Sequence, residues 1–102
     1  MNKDSLLEKI DIIVKEYPIT KITLFGSRAT GTNHSDSDVD LIIEFYKPVS
    51  LLTLSKIRMR LEELLELKVD IVHGPLSDNN ILNIDKIIVL YDEKSNKIET
   101  EE

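Results

Sequence analysis

Three aspartates and a Gly-Ser pair are the residues of this chain whose types and spacing can do chemistry. Asp38 and Asp40 stand two apart in "DVDLIIEF", a run that otherwise alternates as a strand does. Side chains alternate across a strand, so Val39, Leu41, Ile43 and Phe45 share one face and Asp38, Asp40, Ile42 and Glu44 the other. Two carboxylates at that spacing stand ~6.5 Å apart along the strand and point the same way. Desolvating them together is costly unless a cation pairs with them. Oxygen donors without Cys or His favour a hard cation, and two ions ~3.5–4 Å apart suit converging carboxylates. "KVDIVH" repeats the pattern, with Asp70 opposite in parity to Val69 and Ile71. If the two strands are neighbours, Asp70 joins Asp38 and Asp40 as a third carboxylate. Gly26 and Ser27 lie where the strand "KITLF" gives way to "SRAT". Backbone N–H groups at such a junction form an anion site, with the Ser27 hydroxyl as a further donor. A cradle for a triphosphate beside carboxylates for its metal ions is the equipment of phosphoryl-type transfer.

The elements that must position these residues follow from the pattern. Leu6, Leu7, Ile10, Ile13, Val14 and Tyr17 fall at helical spacing over 5–17, and Pro18 stops that helix. Strands are expected over 21–25, 38–45, 68–73 and 86–91. Gly31 ends a short helical turn at "SRAT". "TNHSDS" is a loop, in which Asp36 is a turn or capping residue. Ser50 caps a long helix over 51–67 that turns Leu51, Leu54, Ile57, Leu61, Leu64 and Leu65 to a core. "LSDNNILNI" reads as a turn or weak helix. The fold class expected is α/β (α+β), a small mixed sheet of about four strands with helices on one face. Residues 1–91 form the single domain and 92–102 an acidic, frayed tail.

Composition narrows the function. The chain has 102 residues, 41% hydrophobic and 31% charged, with 13 basic against 19 acidic residues and a net charge of -6. That balance argues against nucleic-acid binding, which needs a basic face, and suits a basic protein partner. There is no cysteine, hence neither disulfide framework nor thiolate metal site. The first residues lack a signal peptide's apolar core, and no run approaches the ~20 apolar residues of a membrane span. A soluble cytoplasmic protein is expected.

"GSRATGTNHSDSDVDL", with "VDIV" downstream, resembles the signature of the DNA polymerase β-type nucleotidyltransferase superfamily. The small size points to its minimal members, the MNT proteins that serve as MntA-type antitoxins of HEPN-domain toxins. The resemblance covers roughly residues 5–91. It implies that Gly26 and Ser27 contact the triphosphate, that Asp38 and Asp40 bind two Mg²⁺ ions, and that Asp70 completes the metal site or takes the acceptor's proton. It implies a protein adenylyltransferase that moves AMP from ATP to a hydroxyl, a tyrosine, of a HEPN RNase toxin in a hetero-oligomer. Two residues depart from the pattern. Thr30 stands where many members carry a base before the second glycine, leaving Arg28 as the neighbouring base for a phosphate. Glu66 stands where a glycine often ends the long helix.

Blander readings exist for each residue. Gly26–Ser27 alone is an ordinary turn, and Lys68 has the parity to pair with Asp70. His34 and His73 read as loop and strand-end residues, Glu44 as a solvated edge residue, and Arg58 and Arg60 as solvated or partner-facing. With the domain used up by its core, the acceptor is expected on another macromolecule. A non-catalytic antitoxin that neutralises by binding is the second reading. An enzyme acting on a small molecule or an RNA end is the third.

Overall fold

The computed structural model describes residues 3–34, 37–75 and 86–94. Among them the chain runs α1 (Lys3–Glu16), β1 (Ile19–Phe25), α2 (Ser27–Thr30), β2 (Val39–Phe45), α3 (Leu51–Leu65), β3 (Val69–His73) and β4 (Ile88–Asp92). The strands form one sheet in the order β3-β2-β1-β4. Adjacent strands in sequence, β1 and β2, pair antiparallel, as do β1 and β4. β2 and β3 run parallel, and the helix α3 makes the crossover that a parallel pair requires. This is the mixed four-stranded sheet that the alternation of strand and helix patterns implies. The reading of 76–84 as a turn or weak helix, the role given to Asp36, and the tail from 95 lie outside the described residues.

One face of the sheet carries the core. Ile22 and Leu24 of β1, Val39, Leu41 and Ile43 of β2, and Val69 of β3 are buried there with Leu6, Ile10 and Ile13 of α1 and Ile57 and Leu61 of α3. Each buried aliphatic side chain of this size contributes about 1.5–3 kcal/mol of hydrophobic free energy. Long-range packing, not helix propensity, therefore holds α1 and α3 in place.

Three details correct the sequence reading. Leu51 is not in the core but 81% exposed. Helical rotation of about 100° per residue puts it roughly 90° away from the centre of the stripe formed by Leu54, Ile57, Leu61, Leu64 and Leu65. β1 begins two residues early, at Ile19, whose N–H donates to the Tyr17 carbonyl across Pro18. α3 ends at Leu65, and Glu66 itself takes the left-handed conformation at φ 58°, ψ 36°. Its N–H donates to the Glu62 carbonyl at 2.8 Å. A glutamate thus does the work that a glycine does at most helix ends of this kind. The Ser50 cap is as expected, its hydroxyl accepting from Thr53 N–H at 3.1 Å.

Candidate active site

The face of the sheet away from the core carries the acidic residues. The register sets Asp40 of β2 beside Asp70 of β3 and, on its other flank, beside Phe25, the last residue of β1. Two bonds hold the start of this pair, one between the strands and one from α3. Val39 N–H donates to the Lys68 carbonyl at 2.8 Å, and Val69 N–H donates to Glu62 Oε2 at 3.0 Å. Glu62 is itself held by Arg58 at 3.2 Å, so the end of α3 fixes the start of the strand that bears Asp70. The sequence reading of Arg58 was solvated or partner-facing; nothing in the helical pattern shows that it holds a glutamate which reaches the next strand.

Gly26 follows β1 and opens α2. Its φ is 78°, a region that glycine enters without cost and other residues do not. A Cβ at Gly26 would overlap Asp40 Oδ2 and lie 3.2 Å from its Cγ. The glycine is thus needed for a reason the sequence did not disclose: the Asp40 carboxylate occupies the room a side chain would take. The turn itself is closed by Ala29 and Thr30 N–H groups donating to the Gly26 carbonyl at 3.0 and 3.1 Å. Gly31 ends it in the left-handed conformation. The Ser27 carbonyl accepts from Gly31 N–H, Thr32 N–H and the Thr30 hydroxyl. Thr30, at the position many family members fill with a base, therefore braces the turn. Among the described residues no hydrogen bond uses the Ser27 hydroxyl.

Asp38 lies exposed just before β2, Asp40 is half-buried and Asp70 is exposed. Burial pushes the Asp40 carboxyl above the usual carboxylate range, and the charges of Asp70 and Asp38 and a hydrogen bond with Asp70 push it the same way. A cation would relieve each of these causes. Among the described residues no three Asp, Glu, His or Cys side chains enclose a metal ion by themselves. A hard divalent ion of small radius takes one or two protein carboxylates and completes its shell with water and substrate phosphates.

The competing roles fall away. Among the described residues Lys68 forms no ion pair with Asp70. Arg60 is engaged by Glu16 and Glu63 at 3.4 Å each. His73, exposed at the end of β3, packs tilted on Phe45 with ring centroids 5.3 Å apart. The His34 N–H donates to Ser37 Oγ at 2.7 Å within the loop. Arg28, which the sequence offered as a phosphate ligand, donates instead to loop carbonyls, from Nε and Nη2 to Ser37 at 3.1 and 2.8 Å. A single sequence carries no signal that would have shown which carbonyls it reaches.

Comparison with known proteins shows the family. A family model described as a nucleotidyltransferase domain matches residues 7–102. The chain belongs to the nucleotidyltransferase family. A Methanocaldococcus jannaschii protein provisionally named a protein adenylyltransferase is 40% identical to this nucleotidyltransferase over 72 residues, 66% of this chain and 74% of that one. A solved structure of a provisionally named minimal nucleotidyltransferase is 27% identical, with a TM-score of 0.66 over 82% of this chain and 90% of that one. The same fold occurs in a complex described as a tri-AMPylated Shewanella oneidensis HEPN toxin with its MNT antitoxin. There the TM-score is 0.68 at 15% identity, over 93% of this chain and 76% of that one. Among the described residues no helix is long and apolar enough to cross a membrane.

Proposed function

We propose that this nucleotidyltransferase is the antitoxin of a toxin–antitoxin pair and that, with Mg²⁺, it transfers AMP from ATP to a tyrosine hydroxyl of a HEPN-domain RNase toxin. The observation that carries the reading is the seat of Asp40, wedged against the missing Cβ of Gly26 and in register with Asp70. Nucleotide cradle and carboxylates meet at that point. The names of the relatives support adenylyl transfer as the reaction and a HEPN toxin as the acceptor. The net charge of -6 suits a basic surface on such an RNase.

In this reading Asp38, Asp40 and Asp70 hold the metal, and Gly26 and Ser27 receive the triphosphate. Bound Mg²⁺ supplies positive charge that offsets the triphosphate and the charge developing on the leaving pyrophosphate. The Ser27 hydroxyl donates to a phosphate oxygen. Asp70, exposed like Asp38 and beside Asp40, also serves to accept the proton of the acceptor hydroxyl. The acceptor oxygen bonds to the α-phosphorus, the bond from that phosphorus to the pyrophosphate oxygen breaks, and AMP remains on the acceptor.

The test is intact-mass spectrometry of the cognate HEPN protein after incubation with ATP, Mg²⁺ and this chain. AMP-sized increments should appear with the parent chain and be absent with Asp40→Asn. A complex that forms and protects cells while the parent chain never shifts the toxin's mass would establish the binding-only reading instead.

A further inference from the structure

Asp40 and Asp70 are fixed by the sheet ladder, but Asp38 is not. It precedes β2, is exposed, and takes its position from its two neighbours. On one side Val39 is fully buried, with its N–H on the Lys68 carbonyl. On the other side is Ser37, whose carbonyl accepts two N–H groups of Arg28. Arg28 Nη2 also reaches the His34 carbonyl at 3.5 Å. Arg28 is the second residue of α2 and follows directly on Gly26–Ser27.

We infer that Arg28 is a positioning residue that fixes Asp38 against the Gly26–Ser27 turn, and so sets the spacing between the metal carboxylates and the nucleotide cradle. The inference rests on the proposed function, which assigns metal and triphosphate to those two groups. Among the described residues the start of the loop is tied to α2 by Thr32, whose N–H donates to the Ser27 carbonyl at 3.0 Å, and the bonds at its other end are internal. Ser37 N–H donates to the His34 carbonyl at 3.1 Å, and His34 N–H to Ser37 Oγ. They shape the end of the loop next to Asp38 without tying that end to α2; the Arg28 guanidinium does that. Its planar fork brings two N–H groups to one carbonyl, a geometry that the single ammonium of lysine does not reproduce. A guanidinium committed to the loop carbonyls is also turned to a task other than binding phosphate.

Two readouts test the assignment in the full chain, using Arg28→Ala and Arg28→Lys. The first is amide hydrogen exchange. Both variants should speed exchange over residues 33–39 and leave α1 and α3 at parent rates; parent-like exchange over 33–39 would overturn the inference. The second is ATP affinity by calorimetry, in Mg²⁺ and in EDTA. The gain in affinity that Mg²⁺ confers should fall roughly tenfold in both variants, as a small misplacement of ligands produces, with affinity in EDTA held within about twofold. In an Asp38→Asn background Arg28→Ala should lower that gain no further, because residues acting as one unit are not additive. Retention of the gain in Arg28→Lys, or loss of affinity in EDTA, would make Arg28 a charge contact to phosphate and overturn the inference. A parent chain with no Mg²⁺-dependent gain would overturn the proposed function instead, and the exchange rates then decide the positioning role alone.

Discussion

On the core side of β2, Val39, Leu41 and Ile43 are fully buried among the side chains of β1, α1 and α3. On the other side of the same strand, Asp40 is pressed against Gly26 and beside a second carboxylate. The first face is stabilising, and many neighbours share its load. The second crowds carboxylates whose burial and mutual repulsion a bound cation would relieve. One strand thus presents a buried aliphatic row on one face and a crowded carboxylate on the other, by the parity of its residues.

The comparison can be broken most forcefully from the core side. Leu41→Ala should cost about 2–5 kcal/mol in equilibrium urea unfolding, since it empties a fully buried leucine site. Below its lowered melting point the variant should still transfer nucleotide. Gly26→Val attacks the contact between the two halves of the site. A branched residue at φ 78° with its Cβ on the Asp40 carboxylate should cost about 1–3 kcal/mol and abolish transfer. Adding Asp40→Ala should recover part of that stability in urea unfolding and none of the transfer. If the double variant is no more stable than Gly26→Val alone, the overlap with Asp40 is not what the glycine avoids.

Ser27→Ala is narrower. It should lower kcat/KM by the equivalent of about 1–3 kcal/mol, as for a hydrogen bond to a charged group, and leave the melting temperature unchanged. The smallest effect belongs to Glu66, remote from the chemistry. Glu66→Gly relieves a non-glycine residue in the left-handed region but loosens the unfolded chain, so the net gain should be at most about 1 kcal/mol. Steady-state transfer by this variant should match the parent.

How far these features were legible depends on whether their cause is local. The alternation of "DVDLIIEF" gave β2 and its two faces, because a strand's period is a property of the backbone. The carboxylates and the Gly-Ser pair stood out by type, and the structure brings Asp40, Asp70 and Gly26 together as the spacing implied. Relations between distant residues were not legible. The hold of Arg28 on Ser37 and of Glu62 on Val69 depends on how α2 and α3 meet the strands. Nor did the strand's parity show the burial of Ile42 and Thr23, 6% and 4% exposed on the side of the sheet that it gave to polar residues. Leu51 shows the opposite failing: a local pattern was extended one turn beyond the surface that it packs on.

The central claim is that the acidic face is a metal–nucleotide site maintained against the fold's own stability, and Asp40→Asn tests it. The raised pKa of Asp40 means that the folded chain holds this proton more tightly than the unfolded chain does. Its contribution to stability is therefore fully present below the unfolded value of about 4 and is lost as pH rises through the folded value. Asparagine mimics the protonated form, so the variant's advantage should be absent in acid and grow to about 1 kcal/mol at neutral pH, where solvent screening limits it. The decisive measurement is thermal unfolding of parent and Asp40→Asn at pH 7, with and without ATP and Mg²⁺ in the same buffer. The parent should melt lower alone and rise when ATP and Mg²⁺ are added, while the variant melts higher alone and does not respond. A variant that melts below the parent, or that gains as much from ATP and Mg²⁺ as the parent does, would contradict the claim.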